Sequence, residues 1–185
     1  MAQHLCPWWL GYLLLNPLRR WVHNPRRILG PFVSGGMTVL EPGPGMGFFT
    51  LELARRVGPT GRVIAVDVQP KMLEGLARRA TRAGLAERLQ ARQPKGDHLG
   101  IEDCRGQVDF ALAFAMVHEV QKPELLFGDL REALKPGGKV LLAEPRGHVR
   151  AEAFAAMLEL ARQAGFVVES GPRIRRCHSA VLSAP

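Results

Sequence analysis

The chain has 185 residues, which is enough for one domain with a small appendage. Hydrophobic residues make up 46% of it and charged residues 23%, so a sizeable core is expected, and low-complexity segments and long repeats are absent from the sequence. Three cysteines, Cys6, Cys104 and Cys177, lie far apart in sequence. An odd, sparse set of cysteines argues against a secreted disulfide framework and favours the cytoplasm, while the role of each cysteine stays open.

The formal net charge of +8 is concentrated near the two ends of the sequence. Residues 1–40 contain four arginines and residues 170–185 contain three, and neither stretch contains Asp or Glu. Two basic stretches without acids suggest a face that meets an anionic partner. Solvated ends of an arginine-rich protein are an equally good interpretation. The arginines concerned are Arg19, Arg20, Arg26, Arg27, Arg173, Arg175 and Arg176.

Residues 1–36 are predicted to form a helical cap, separate from a main domain at residues 37–185. The cap holds all three tryptophans of the chain, and two Asn-Pro pairs within it favour turns or helix starts. Residues 7–15 are apolar but too short to span a bilayer, which needs roughly 20 residues, and they lack the flanks of a signal peptide. A membrane-surface helix is the alternative to a packed cap, because the segment combines Trp, Leu and Arg.

From residue 37 onward apolar strands alternate with helices, which predicts an α/β fold with a mostly parallel sheet covered on both faces. We expect a Rossmann-like, doubly wound sheet of seven strands. The link before the last strand is too short for a parallel crossover, so one strand near the C-terminus should run antiparallel. A turn is expected at residues 135–138. The predicted strands are residues 37–41, 62–67, 89–92, 108–113, 139–144, 166–169 and 179–182, and the predicted helices are residues 48–57, 70–83, 123–134 and 150–164.

A glycine-rich turn at residues 43–47 joins the first strand to the first helix, an arrangement that holds a nucleotide at the carboxyl edge of a parallel sheet. Its glycines let the backbone approach a ligand closely. Glu41 directly precedes the turn, where a carboxylate would repel a pyrophosphate but suits the ammonium and sulfonium groups of S-adenosylmethionine. Asp67, at the end of the second strand, is placed to accept hydrogen bonds from both ribose hydroxyls.

Four segments of the sequence resemble the motifs of class I S-adenosylmethionine-dependent methyltransferases. They are residues 39–47, 63–67, 108–114 and 134–140, in the order and spacing of that family, and the similarity is closest to the small ubiquinone/menaquinone C-methyltransferase-like group. The resemblance implies S-adenosylmethionine as cofactor and S-adenosylhomocysteine as product. It also implies cofactor contacts by Glu41, Gly43, Pro44, Gly45 and Gly47 at the methionine part, Asp67 at the ribose, Val68, Met72, Asp97 and His98 at the adenine, and Ala113 and Phe114 near the methyl group.

Methyl transfer depends mainly on positioning, because a sulfonium is already a good leaving group, whereas an amine or phenol acceptor must also lose a proton. His118 and Glu119 follow the fourth strand and are the candidate catalytic residues, with His118 as a base or as a hydrogen-bond partner of the acceptor. A helix-capping role for His118 is the alternative. No metal site is expected.

In this family the cap covers the carboxyl edge, which makes Trp8 and Trp9 candidate substrate contacts. Glu144, at the end of the fifth strand, is expected as a wall of the substrate pocket, and Arg173 and Arg175 are candidates because the loop before the last strand should lie at the same edge.

The sequence therefore predicts a methyltransferase that acts on a small molecule, for which the basic ends suggest a negative charge. The alternatives are an RNA methyltransferase, a thiol or arsenite methyltransferase if Cys6 and Cys177 meet, and a non-catalytic module that binds S-adenosylmethionine. No transmembrane segment is expected, peripheral membrane contact stays open, and both a monomer and a homodimer are compatible with the sequence. The acceptor atom is not identified.

Overall fold

The computed structural model describes residues 19–185, so the expectations for Cys6, Trp8 and Trp9 lie outside the described residues. The chain divides into two compact units, the first ending at Gln93 and the second comprising Pro94–Pro185. The helices are α1 (Arg19–Val22), α2 (Pro25–Leu29), α3 (Thr50–Val57), α4 (Pro70–Arg82), α5 (Pro123–Ala133) and α6 (Ala151–Gln163), and the strands are β1 (Thr38–Pro42), β2 (Arg62–Val66), β3 (Leu89–Arg92), β4 (Val108–Phe114), β5 (Leu134–Pro145), β6 (Val167–Ser170) and β7 (Cys177–Ser183).

The first unit is built on three parallel strands, in which β2 pairs with both β1 and β3. The apolar runs of β1 and β2 are buried throughout, as expected for strands covered on both faces. The predicted succession of strand, glycine turn and helix is confirmed. Helix α3 begins at Thr50, two residues later than predicted, because the turn continues through Phe49.

The second unit pairs β4 with β5 in parallel, and β7 runs antiparallel to both β5 and β6. The reversed strand is the one predicted from the short link before it. All seven strands form one sheet in the order β3-β2-β1-β4-β5-β7-β6, so the predicted fold class is confirmed. The division between a cap at residues 1–36 and a main domain stays a prediction.

The turn predicted at residues 135–138 is wrong, because these residues lie within β5. Strand β4 pairs with Leu134 and next with Lys139, so the four residues between them form an irregularity in the strand. Gly137 has a φ of 77°, a conformation that glycine adopts without strain. Backbone hydrogen bonds from Gly137 N to Ala184 O and from Ala184 N to Gly138 O hold the irregularity against the end of the chain. Proline and glycine here mark a bulge instead of a connection.

Residues 19–185 contain neither a membrane-spanning helix nor a metal-binding cluster. No helix in this range is both long and apolar enough to cross a membrane. No group of three or more His, Cys, Asp or Glu side chains in this range is arranged to hold a metal ion.

Candidate functional site

The glycine turn of the first unit is a tightly constrained loop. Gly43, Gly45 and Gly47 all have positive φ, at 66°, 53° and 85°. Other residue types adopt this conformation only with strain, so the glycines are required for the path of the chain. Gly47 is also pressed against the unit, since a Cβ there would lie 2.4 Å from Leu76 Cδ1. Pro44, the remaining predicted loop contact, is buried.

Arg79 of α4 was not anticipated from the sequence, and its guanidinium Nη1 donates to the backbone oxygen of Met46. The hydrogen bond ties the last turns of α4 to the glycine turn. Met46 also packs on this helix, because a Cβ on Gly75 would lie 3.1 Å from Met46 Cγ. No sequence motif predicts this contact, since Arg79 lies 33 residues after its partner. The glycine turn is therefore supported by α4, which comes after α3 and β2 in the chain.

Glu41 lies at the end of β1 with only 4% of its surface exposed. Its Oε2 atom is buried and has no hydrogen-bond partner among the described residues. Burial raises the pKa of Glu41 to about 7, the hydroxyl of Thr50 and the positive charge of Arg19 oppose this shift, and the negative charge of Asp67 adds to it. A buried carboxylate oxygen without a partner is costly, so this atom is suited to receive a cationic ligand.

Asp67 follows β2 directly and is 8% exposed. Its Oδ2 atom accepts from the backbone N–H of Gly45 at 3.1 Å, and its Oδ1 atom accepts from Gln69 N–H at 2.9 Å. Burial raises the pKa of Asp67, and these two hydrogen bonds oppose the shift. The N-cap of α4 is Gln69, so Asp67 does not cap that helix. Each carboxylate oxygen has a second lone pair, which leaves Asp67 able to accept two further hydrogen bonds.

The residues predicted at the adenine lie in contrasting surroundings. Met72 is 3% exposed, whereas Val68 is 51% exposed. Asp97 lies on an exposed turn of the second unit and forms an ion pair with Lys122 Nζ at 2.6 Å. His98 lies on the same turn, and its Nδ1 atom is 2.8 Å from Oδ1 of Asp129 on α5. The Asp97 carboxylate and the His98 imidazole are therefore already engaged in contacts within the second unit.

His118 and Glu144 form a close pair in the second unit. The Nδ1 atom of His118 lies 2.5 Å from Glu144 Oε2, and Glu144 Oε1 accepts from the N–H groups of Met116 and Val117 at 3.2 and 2.8 Å. Glu144 is fully buried, and these three donors surround its carboxylate. The carboxylate of Glu144 thus contacts His118 and the backbone before it, and its expected role as a wall of the substrate pocket stays a prediction.

The chain reaches this pair through a strained residue. Ala115, directly after β4, has a φ of 55°, which is uncommon for a residue with a Cβ. The short helical turn Val117–Glu119 follows and carries His118. The hydrogen bond to Glu144 raises the pKa of His118, burial opposes the shift, and the negative charges of Glu144 and Glu119 add to it. His118 Nε2 lies 3.9 Å from Glu119 Oε1.

Two more histidines lie near this pair and were missed by sequence reasoning. The ring of His148 packs edge-on against that of His118, with 5.5 Å between centroids. His178 pairs with Glu144 across β5 and β7 and stacks on Phe154 at 5.3 Å. The signal for His148 was available, because it follows β5 by three residues, just as His118 follows β4 by four.

The predicted arginines lie on the loop between β6 and β7. Arg173, Arg175 and Arg176 are exposed, and Ile174 between them is buried. Cys177 follows the loop and pairs with Pro145, the last residue of β5. The loop therefore lies at the carboxyl end of β5, which is the position expected for it. The remaining candidates Ala113 and Phe114 are buried in β4, where they pair with Leu142 and Ala143. Cys104 and Cys177 are both buried free cysteines.

Residues 33–171 match the model of a family described as a methyltransferase domain. The chain is 33% identical over 121 residues to an arsenite methyltransferase of Halobacterium salinarum, covering 65% of this chain and 30% of that protein. It is 32% identical over 112 residues to a ubiquinone/menaquinone biosynthesis C-methyltransferase of Idiomarina loihiensis, covering 60% of this chain and 44% of that protein. The chain thus spans less than half the length of these two relatives.

Two solved structures have the same fold over nearly the whole chain. A SAM-dependent methyltransferase from Aquifex aeolicus is 23% identical with a TM-score of 0.85, and the match covers 97% of this chain and 98% of that one. A protein from Methanococcus maripaludis, described as a putative S-adenosyl-L-methionine-dependent methyltransferase, is 15% identical with a TM-score of 0.77, covering 100% and 97%. At these identities the likeness establishes the fold alone.

Proposed function

We propose a function from one premise: this chain belongs to the class I S-adenosylmethionine-dependent methyltransferases. The proposed activity is transfer of a methyl group from S-adenosylmethionine to a small-molecule acceptor. The observation that carries it is the buried oxygen of Glu41 beside the glycine turn, which has no hydrogen-bond partner among residues 19–185. A phosphate-bearing cofactor would leave that carboxylate facing a like charge, whereas an ammonium group would pair with it.

The first unit fits the family's cofactor at three points. Glu41 would accept from the ammonium group, and the positive-φ turn would let the backbone approach the methionine part closely. Asp67 would use its remaining lone pairs for the ribose hydroxyls. Bound S-adenosylmethionine supplies a methyl group on a positively charged sulfur, and S-adenosylhomocysteine is the group that leaves when the methyl is transferred. Contacts of Val68 and Met72 with the adenine belong to the same proposal.

The adenine roles of Asp97 and His98 remain predictions of the resemblance. Asp97 already pairs with Lys122 at 2.6 Å, and His98 with Asp129 at 2.8 Å. A hydrogen bond from the adenine amino group would have to be shared with Lys122 at the Asp97 carboxylate. This competition makes Asp97 a weaker candidate than Asp67, whose donors leave room on both oxygens.

His118 would act as the general base for an acceptor that must lose a proton. Its Nδ1 atom is held by Glu144 Oε2, which leaves Nε2 as the atom that takes the proton. Glu144 would be a positioning residue, because it fixes the ring and stabilises the imidazolium that forms, as a buried carboxylate does beside other catalytic histidines. Glu119, 3.9 Å from Nε2, would add negative charge beside that atom.

The acceptor is proposed to be small and anionic. Support comes from the exposed Arg173, Arg175 and Arg176 on one loop, next in sequence to β7, and from His148 beside His118. An arsenite acceptor, as in the name of one relative, would need accessible thiolates. Cys104 and Cys177 are 2% and 3% exposed, so the described cysteines give no support to that alternative.

Calorimetry tests the cofactor and radiolabelled transfer tests the chemistry. We expect S-adenosylmethionine and S-adenosylhomocysteine to bind and NAD not to bind, with Asp67→Asn weakening the ribose contact. Absence of S-adenosylmethionine binding at millimolar concentration would remove the proposal. If binding occurs but no labelled methyl group reaches any small anionic, neutral or RNA acceptor, the chain is a binding module instead of an enzyme.

The anionic acceptor has its own test, once an acceptor has been found. Reversing the charges of Arg173 and Arg175 to Glu should raise the KM for the acceptor and weaken its dependence on salt, while cofactor affinity stays unchanged. Arg105→Glu, on another exposed surface of the second unit, is the matched control. An unchanged KM and salt dependence would rule out these arginines as acceptor contacts.

A further inference from the structure

Trp21 is the most exposed large hydrophobic residue of residues 19–185, with 85% of its surface accessible. It lies on α1, one turn of helix whose Arg19 guanidinium is 4.3 Å from the centre of the Phe48 ring. The cation–π contact holds α1 on the first unit. Trp21 is thus presented to solvent by an anchored turn of helix. An exposed tryptophan at a fixed place is typical of a binding surface.

The helix α2, which follows Trp21 closely in sequence, is basic. Arg26 has 79% of its side chain exposed, and Arg27 is exposed and forms no ion pair among the described residues. The acid nearby is Glu52, whose side chain is 11% exposed and is already contacted by Arg26, Arg55 and Arg56. One covered carboxylate against several exposed guanidinium groups leaves this surface positive. We call Trp21, Arg26 and Arg27 the N-terminal basic patch.

We propose that the N-terminal basic patch docks this protein on an anionic phospholipid bilayer. Tryptophan prefers the interface between headgroups and acyl chains, and arginines beside it pair with lipid phosphates. The sequence before the patch favours a lipid over RNA, because residues 1–18 contain neither acidic nor basic residues except His4 and are rich in Leu and Trp. Separation of an apolar stretch from a basic one is typical of interfacial segments, whereas binders of single-stranded RNA line a basic groove with aromatic residues.

The docking surface is independent of the acceptor's identity. It lies on the first unit, and none of its three residues is among the proposed cofactor contacts. Membrane docking would bring the enzyme to acceptors that partition into a bilayer. The two proposals can therefore fail separately, since vesicle binding needs neither cofactor nor acceptor.

Vesicle sedimentation tests the proposal on the full chain. We expect binding to phosphatidylcholine vesicles that contain phosphatidylglycerol, little binding to pure phosphatidylcholine, and loss of binding at high salt. Arg27→Glu should weaken binding at least about fivefold, the effect of about one arginine at an anionic surface. Trp21→Ala should weaken it as well, without change in melting temperature, because the side chain is largely exposed. All three tryptophans of the chain lie at residues 8–21, so a blue shift of fluorescence on binding reports on this segment directly.

Arg82→Glu, at the exposed end of α4, is the matched charge-reversal control and should bind vesicles as the unaltered protein does. Equal binding to neutral and anionic vesicles, or equal weakening by Arg27→Glu and Arg82→Glu, would overturn the proposal. A single-stranded RNA oligonucleotide is the third probe. If it binds in a manner that depends on Trp21 and Arg27 while anionic vesicles do not bind, the patch is an RNA surface and the proposal is wrong.

Discussion

Replacement of Glu41 by Gln separates folding stability from cofactor affinity. The pKa of Glu41 is raised from 4.5 to about 7, so the folded state binds this proton more tightly than the unfolded state does. Between these two pH values the stability of the unbound protein falls as pH rises, and above pH 7 the ionised carboxylate costs about 3 kcal/mol of unfolding free energy. Gln mimics the protonated form, so Glu41→Gln should be more stable than the unaltered protein by up to about 3 kcal/mol at pH 8.

The pH dependence of the difference identifies its cause. The two proteins should have nearly equal stability at pH 4.5 and diverge as pH rises toward 7, because Glu41 ionises in this range and Gln does not, while all other titrating groups are common to both. For a chain of this size the gain at pH 8 corresponds to a rise in melting temperature of about 6–12 °C. Cofactor affinity should change in the opposite direction, about 10- to 100-fold weaker in the variant, because a hydrogen bond between charged groups is lost.

Thermal unfolding across pH and calorimetry with S-adenosylmethionine measure the two effects on the same samples. Glu87→Gln, at an exposed position of the first unit, is the matched control and should change neither quantity. A variant that is less stable than the unaltered protein at pH 8 would mean that Thr50 and Arg19 stabilise the charge of Glu41 by more than burial destabilises it. A variant that binds the cofactor equally well would refute the role of Glu41 at the ammonium group.

Three further substitutions test the geometry. Gly47→Ala should lower the melting temperature and weaken cofactor binding, because the new Cβ would lie 2.4 Å from Leu76 Cδ1 and the positive φ would be strained. Gly106→Ala is the control for backbone strain without a clash, because Gly106 also has a positive φ but a Cβ there would have no neighbour within 4 Å. Glu144→Gln keeps an oxygen for the backbone donors but loses the charge, so the pKa of His118 should fall. The acid-side midpoint of the pH–rate profile should therefore move to lower pH, and kcat should decrease. An unmoved midpoint would exclude His118 as the titrating base. Ala115→Gly relieves a φ of 55° and should change the unfolding free energy by less than about 1 kcal/mol in either direction, measured by denaturant titration; a larger loss would show that the Cβ itself packs.

Much of the first unit could be predicted from its sequence because its signals are local. The apolar runs of β1 and β2 fix strands buried on both faces, and positive-φ glycines fix the turn between β1 and α3. Glu41 and Asp67 could be singled out as candidates because each lies where a strand ends, and the end of a parallel strand faces the ligand edge. These inferences need only neighbours in sequence.

Contacts between distant residues were not predictable in this way. The hydrogen bond from Arg79 to Met46 O depends on how α4 packs on the glycine turn. Glu144 carries no sequence signal that separates a pocket wall from a buried partner of His118, since both roles place an acid at the end of β5. The Pro-Gly-Gly sequence before Lys139 was interpreted as a turn because proline and glycine favour turns and bulges alike, and only pairing with β4 distinguishes them.

The burial of Ile174 between exposed arginines bears on how the acceptor specificity of this protein could be altered. In the loop between β6 and β7 the side chain of Ile174 is buried, while Arg173 and Arg175 on either side of it are exposed. The His118–Glu144 pair, in contrast, is tied to two backbone amides and tolerates little change. On the proposed function, acceptor recognition and chemistry would therefore be carried by parts with different tolerance to mutation. A library that varies positions 173 and 175 and keeps Ile174 would change the proposed acceptor contacts while the His118–Glu144 pair remains intact.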